Sequence, residues 1–348
     1  MSETGPVMEA VSDLDTTRLT GWMEANVAGF KGPLTYAKFP GGQSNPTYRI
    51  DAASGSYVLR RKPFGPLLPS AHAVDREYRL IEGLHPTGFP VARPYGLCED
   101  DAVLGSAFYV MEMVKGVNYW NGALPDHQPA QRTAIYHEIV DRLAQLHTID
   151  YQAAGLGEFG KPGNYFERQV GRWTKQYRLA QTDDLPEAER LIEWLPRTIP
   201  AQKRTSIVHG DFRIDNMIFD PQQPRVLAVL DWELSTLGDP MADLSYFLIN
   251  WEMPATGAAT VGGVAGGDSG IPTLDEMTAR YAAATGLDEV PDLNWYFAFG
   301  QFRLMGIVQG IKKRFLDGNA SNAKAEATAA RVPGLAASAW SFAERAGA

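Results

Sequence analysis

Cysteine is almost absent from this 348-residue sequence: Cys98 stands alone, which excludes an internal disulfide. The six histidines (His72, His85, His127, His137, His147 and His209) lack zinc-ligand spacing, so structural zinc is not expected. No apolar run is long enough to cross a bilayer. The opening stretch, MSETGPVMEAVSD, is mildly acidic and has no basic segment leading into an apolar one. Positive charge is in deficit: 32 Lys and Arg face 41 Asp and Glu, a formal charge of −9. That balance argues against a nucleic-acid surface, and any anionic ligand would need local cations or a metal. Together these absences point to a cytoplasmic globular protein with neither nucleic acid nor membrane as partner.

The length allows a sizeable core and more than one lobe. Two β-rich runs, TYRID and SYVLRR, are separated by the turn-forming AASG and preceded by a glycine-rich elbow, FPGGQSN (39–45). A helix is expected over 71–84, where Val74, Tyr78 and Ile81 recur at helical spacing, before the chain returns to strand. The opening third therefore reads as a small sheet with one helix. Beyond about Gly116 the pattern turns helical. Ile135, Ile139, Leu143 and Leu146 share one face of 131–150, 186–199 is a second amphipathic stretch, and 293–315 reads as a buried helix. The segment 256–270, rich in glycine and small residues, is either a mobile connector or a lid.

Between the helical stretches lies IVHGDFRIDNMIF (207–219), a polar loop framed by apolar residues that reads as a tight turn between two buried strands. Phosphoryl transfer needs a base or orienter for the nucleophile, oxygen ligands for magnesium, and a cradle for the triphosphate. Asp211 and Asn216 have the spacing by which a catalytic loop holds a carboxylate and a metal-binding amide on one turn. Asp231 follows the apolar run VLAVL and brings a second oxygen ligand, so that Asn216 and Asp231 make a magnesium pair. Upstream, Gly41 and Gly42 allow close backbone approach to phosphates, with Gln43, Ser44 and Asn45 in the same loop. Arg60 is a strand cation suited to the α- and β-phosphates, and Glu77 is placed to steady it from the following helix.

The set GGQSN, YVLRR, DREY, HGDFRIDN and LDWELSTLGDPMADL resembles the aminoglycoside phosphotransferase and choline kinase-like family over roughly residues 30 to 315. Within it the sequence looks most like the branch of kinase domains fused to some acyl-CoA dehydrogenases. The resemblance implies an α+β, bilobal protein kinase-like fold. A small antiparallel-sheet lobe with one main helix (1–112) would join, through a hinge (113–118), a larger helical lobe (119–348). It implies ATP and Mg2+ as cofactors. Asp211 would accept or orient the proton of the substrate hydroxyl, with Asn216 and Asp231 on the metal. Arg60 stands where the family usually has lysine, with Glu77 as partner, and Lys62 is a rival for that role. Arg213 would touch the γ-phosphate or else pair with Asp215. The backbone of Glu112, Met113 and Val114 would meet adenine. His209, Asp239 and Asp243 read as structural.

The stretch between Asp231 and Gly238-Asp239-Pro240 leaves no room for a peptide-docking activation segment, which favours a small hydroxyl-bearing acceptor. Arg303, Lys312, Lys313 and Arg314 are surface cations or, if turned to a ligand, favour an anionic or acyl-bearing acceptor such as a hydroxyacyl-CoA. Aminoglycosides, sugars and amino alcohols are the alternative acceptors, and a non-catalytic nucleotide-binding module is the alternative to an enzyme.

Overall fold

The computed structural model describes residues 13–40, 45–64, 72–318 and 323–348. Gly41, Gly42, Gln43 and Ser44, four of the expected cradle residues, lie outside them. The chain divides into two compact units. The first holds the residues up to Tyr119 together with Asp150–Phe159 and Ile214–Ser235; the second holds Trp120–Ile149, Gly160–Arg213 and Thr236–Ala348. Among the described residues no helix is long and apolar enough to cross a membrane, and Cys98 is buried and free.

In the first unit, helix α1 (Thr16–Asn26) is followed by strands β1 (Leu34–Lys38), β2 (Thr47–Ala52) and β3 (Gly55–Arg61). Helix α2 (Val74–Leu84), strand β4 (Pro94–Cys98), the short α3 (Asp101–Leu104) and strand β5 (Phe108–Glu112) complete the N-terminal part. The strands form one antiparallel sheet in the order β1-β2-β3-β5-β4. Alternation along β2 and β3 sends Tyr48, Ile50, Tyr57 and Leu59 to a core shared with Leu19 and Met23 of α1 and with Phe108 and Val110 of β5. Helix α2 buries Val74, Leu80, Ile81 and Leu84, the spacing of one helical face, and with them Glu77.

Helix α1 corrects the expectation of a single helix here. Its signal is the Asp15 side chain, which caps the free amides of Thr17 and Arg18, whereas its apolar stripe is only Leu19 and Met23.

The second unit contains α4 (Pro129–Thr148), α5 (Tyr165–Ala180), α6 (Pro186–Trp194), β6 (Ser206–Val208), β9 (Thr236–Gly238) and α7 (Met241–Leu248), then α8 (Leu274–Thr285), α9 (Asn294–Leu316), α10 (Ala323–Ala329) and α11 (Val332–Arg345). The two remaining strands, β7 (Met217–Phe219) and β8 (Val226–Val229), pair as a hairpin in the first unit. Ile135, Ile139, Leu143 and Leu146 of α4 are buried as their spacing predicts. Helix α6 stops at Trp194, short of the expected 199, because Pro196 cannot supply the next amide. Helix α9 is buried on nearly every side through its middle, from Trp295 to Gln309.

β6 and β7 flank the polar loop, and each pairs with a strand of the 225–240 stretch: β6 with β9, and β7 with β8 as a hairpin. One further expectation changes. The 256–270 segment is tethered rather than a mobile connector. Ala258 O accepts from Gly122 N–H (2.8 Å), Ser269 O from Arg132 Nη1 (3.0 Å) and Gly270 O from Thr133 Oγ1 (2.6 Å), while Val261 is fully buried.

Candidate active site

The polar loop is built from its buried end. His209 is fully buried, and its backbone N–H donates to Asp243 Oδ2 at 2.6 Å; that of Gly210 donates to Asp243 Oδ1 at 2.8 Å. Gly210 has φ 86°, the left-handed region that glycine enters without strain. Asp243 belongs to the first turn of α7, so a helix fixes the loop. Burial alone would push its carboxyl up. The hydrogen bond and charge of His147, the charge of His209 and the Gly210 amide outweigh this and hold it below the ordinary carboxylate range. His147 Nε2 lies 3.4 Å from Asp243 and its Nδ1 lies 2.7 Å from Tyr281 Oη, so the carboxylate is backed by a second buried layer.

Asp211 then emerges half-buried. Its N–H donates to His209 Nδ1 (3.1 Å), and its Oδ1 accepts from Tyr246 Oη at 2.6 Å. Tyr246 lies three residues beyond Asp243 on α7, so one helical face supports His209, Gly210 and Asp211 together. Burial, and then the charge of Asp211, push the Tyr246 phenol well above its ordinary value, so it stays a donor. Sequence reasoning missed Tyr246; its i,i+3 relation to Asp243 was the available signal. Arg303 Nη2, from α9, donates to the Gly210 carbonyl at 3.1 Å.

The first unit carries Asn216 and Asp231. The β7–β8 register pairs Met217 with Val229, and Leu230 N–H donates to the Asn216 carbonyl at 2.8 Å, so Asn216 and Asp231 sit at the same end of the hairpin. Asp231 has φ 64°, costly for a non-glycine residue and the kind of strain that collects at functional sites.

Arg60 meets Glu77 Oε2 at 2.8 Å, Asp231 Oδ1 at 3.2 Å and Glu233 Oε2 at 3.5 Å. Burial pushes the Glu77 carboxyl up, and Arg60 pulls it back only in part. Tyr109 Oη (3.1 Å) and Asn45 Nδ2 (2.8 Å) also donate to Glu77. Lys62 instead pairs with Asp75 at 3.4 Å. Asn45 is buried, its amide committed to Glu77 and to His72 (3.1 Å), so it braces the ion pair from behind. One guanidinium faces three carboxylates here. Among the described residues no group of three acidic, histidine or cysteine side chains is gathered so as to hold a metal ion; the expected oxygen pair, Asn216 and Asp231, shares one hairpin end. Glu112 ends β5, and its N–H donates to the Arg93 carbonyl at 2.9 Å. Met113 and Val114 follow in the strand-free stretch that Val117 ties to Phe219 through paired backbone bonds (2.9 and 2.8 Å).

The four cations grouped in the sequence separate. Lys312 pairs with Asp183 and Lys313 with Asp317, Arg314 is exposed, and Arg303 alone of the four lies against the Asp211 loop. Arg213 sits close enough to Tyr246 for its charge to act on the phenol.

Residues 35–281 match the model of the phosphotransferase enzyme family. Acyl-CoA dehydrogenase family member 10 of Mus musculus is 46% identical over 319 residues, 91% of this chain and 30% of the relative. Acyl-CoA dehydrogenase family member 11 of Homo sapiens is 40% identical over 314 residues, 88% of this chain and 40% of the relative. The chain thus spans well under half the length of either. A crystal structure from Ralstonia eutropha JMP134, described provisionally as an aminoglycoside phosphotransferase, is 46% identical, with TM-score 0.89 over 95% of this chain and 98% of that one. At 14% identity, a thermostable mutant of aminoglycoside phosphotransferase APH(4)-Ia, solved with ADP and hygromycin B, shares the fold (TM-score 0.58; 92% and 97% covered).

Proposed function

We propose, for a chain that belongs to the phosphotransferase enzyme family, that it moves the γ-phosphoryl group of ATP to a hydroxyl of a small molecule, and that this acceptor is a hydroxyacyl-CoA or a close relative of one. The observation that carries the proposal is the cluster of Arg60, Glu77 and Asp231 beside Asn216, an oxygen-rich site braced by buried groups. The acyl-CoA side rests on the relatives, both named as acyl-CoA dehydrogenase family members.

On this reading Asp211 takes the proton as the acceptor oxygen bonds to the γ-phosphorus and the bond from that phosphorus to the β,γ-bridging oxygen breaks, releasing ADP. Tyr246 holds one Asp211 oxygen still, so that the carboxylate meets the hydroxyl in one orientation. Arg60 binds phosphate oxygens, and Glu77 keeps its guanidinium directed. Asn216 and Asp231 hold magnesium, which when bound neutralises phosphate charge. Arg213 is assigned to the γ-phosphate. With the Glu112 amide engaged by Arg93, adenine contacts fall to the Glu112 carbonyl and the Met113–Val114 backbone. The sheet lobe, hinge and helical lobe take the bounds 1–112, 113–118 and 119–348, and the setting is the cytoplasm.

The test is magnesium-ATP phosphoryl transfer to a panel of hydroxyacyl-CoAs, amino alcohols, sugars and aminoglycosides, with Asp211→Asn and Asp231→Ala alongside. A phosphorylated hydroxyacyl-CoA formed by the wild type, lost in Asp211→Asn with ATP binding retained, and lost in Asp231→Ala together with magnesium-dependent ATP binding, supports the proposal. Phosphorylation of an aminoglycoside alone would move the acceptor class. Near-normal turnover by Asp211→Asn would remove that residue from its role.

A further inference from the structure

Arg303 is an odd residue for its place. It sits on α9 among buried neighbours, with Gln301, Phe302, Met305 and Gly306 all inside. Its guanidinium is half-buried and lies against two aromatic rings, 5.7 Å from the centroid of Trp173 and 5.7 Å from that of Tyr246. Of its five N–H donors, one is used, by the Gly210 carbonyl. Among the described residues no carboxylate pairs with it, although carboxylates outnumber cations in this chain. Three other cations of the same unit are matched, Arg178 by Glu189, Arg280 by Asp141 and Lys312 by Asp183, and half-buried Arg132, which also lacks a carboxylate, satisfies its guanidinium on three backbone carbonyls. An unmatched cation in a half-buried position is costly unless a ligand group completes it.

The position says which ligand. Tyr246 spans the interval: its ring face receives Arg303, and its hydroxyl bonds Asp211. A molecule whose hydroxyl lies at Asp211 therefore brings a group only a few bonds away to the free side of the guanidinium. Arg172, 5.5 Å from the same Trp173 ring, adds positive potential from further out.

We propose that Arg303 binds an acyl oxygen of the acceptor, a carboxylate or a thioester carbonyl, and thereby selects which hydroxyl meets Asp211. This rests on the phosphotransferase reading above and makes Arg303 a specificity residue for it. The acceptor is then a hydroxy acid or its thioester, with the hydroxyl and the acyl oxygen read together by Asp211 and Arg303. A polycationic acceptor is disfavoured at the same place by like charge.

The experiment compares three acceptors of one chain length: a hydroxy acid, its CoA thioester, and the diol that lacks the acyl oxygen. Each is assayed with wild type, Arg303→Gln and Arg303→Lys, and binding of the two acyl compounds is titrated in the presence of ADP. In Arg303→Gln the ratio of kcat/KM for the better acyl acceptor over the diol falls at least tenfold, Arg303→Lys recovers part of it, and KM for ATP stays within about twofold. Loss confined to the free acid identifies a carboxylate ligand; loss confined to the thioester identifies a carbonyl ligand. An unchanged ratio, or an equal fall for diol and acyl acceptors, overturns the inference while leaving the phosphotransferase reading intact. Acyl binding that is equal in wild type and Arg303→Gln overturns it even where no turnover is detected. Absence of transfer to any hydroxyl compound by the wild type would instead sink the phosphotransferase reading.

Discussion

Tyr246 gives its phenol hydrogen to Asp211 Oδ1 at 2.6 Å, across 35 residues of sequence, and this bond helps orient the carboxylate on which transfer is proposed to depend. Its removal separates orientation from chemistry. Tyr246→Phe keeps the ring that faces Arg303 and deletes only the donor. The expected result is a fall in kcat of about tenfold, corresponding to about 1.4 kcal/mol, the size of one hydrogen bond, with KM for ATP unchanged. Steady-state kinetics at saturating acceptor would check it. A rise in KM for ATP with kcat unaltered would mean that Tyr246 serves the nucleotide instead.

Arg60 is held by three carboxylates, of which Glu77 is almost fully buried. Arg60→Met leaves that carboxylate without its cation, and breaking a buried pair from one side typically costs about 3–5 kcal/mol. Arg60→Met combined with Glu77→Gln removes both charges and should recover a large part of the loss, because the neutral amide still accepts from Tyr109. Chemical denaturation of the wild type, the single variant and the double variant checks this. A double variant no more stable than Arg60→Met would show that the ion pair is not what holds the strand to α2.

The division between what was legible in the sequence and what was not follows how far apart in the chain the partners lie. The order HGDFRIDN lies within one loop, and the Arg60–Glu77 pair joins a strand to the helix that follows it, so both could be read from spacing. Tyr246 and Arg303 reach the same loop from α7 and α9, far along the chain; Tyr246 is marked only by its i,i+3 relation to Asp243, and nothing local marks Arg303. By position on one helix Arg303 groups with Lys312 and Lys313, whereas in the fold those two are spent on Asp183 and Asp317. Helix α5 went unread although its buried Tyr165, Phe166, Val170, Trp173 and Tyr177 keep helical spacing, because aromatic residues favour strand as readily. The strands beside the polar loop were legible as strands, and the apolar runs of 225–240 as their hairpin partners; the register, with β9 taking β6 and β8 taking β7, is a tertiary outcome.

Two buried aspartates in GDPMADL should pull stability in opposite directions with pH. Burial pushes the Asp239 carboxyl up to about 6, and the hydrogen bond from the Met241 amide only partly offsets it. The folded state therefore holds that proton more tightly than the unfolded chain, so its contribution is complete below about pH 4 and is lost as pH rises through 6. Asp239→Asn should match the wild type near pH 4 and exceed it by up to about 3 kcal/mol above pH 7. Asp243 is held low by His147, His209 and Gly210 against its burial. Its contribution is present above the ordinary carboxylate range and is lost as pH falls through its lowered value. Asp243→Asn should be destabilised at pH 7, with a deficit that shrinks on acidification. Melting temperatures from pH 3.5 to 7.5 for the three proteins check both signs, and an Asp239→Asn curve parallel to the wild type would reject the raised carboxyl.

Gly116 ties the end of the sheet to the hairpin that carries Asn216 and Asp231. A Cβ there would stand 2.3 Å from the Phe219 carbonyl oxygen and 2.5 Å from Ile218 Cγ2, closer than packed atoms allow, and the carbonyl belongs to backbone that cannot swing aside. The same carbonyl accepts from Val117, Phe219 donates back to Val117, and Asn118 Nδ2 reaches the Met217 carbonyl at 2.7 Å, so the strap is a third strand in all but length. Gly116→Ala must open that seam. The expected cost is about 2–4 kcal/mol, the range for a backbone clash with loss of buried hydrogen bonds. Because the strap leads from Met113 and Val114, and β7 follows directly from Asn216, adenine and magnesium contacts should weaken together. Nucleotide titrations with and without magnesium separate the possibilities: a loss of affinity without magnesium that grows larger with it fits a strap that positions the two ends as one piece, and an equal loss in both confines its influence to the adenine end. A loss only in the presence of magnesium would confine the strap's influence to the hairpin end that holds Asn216 and Asp231.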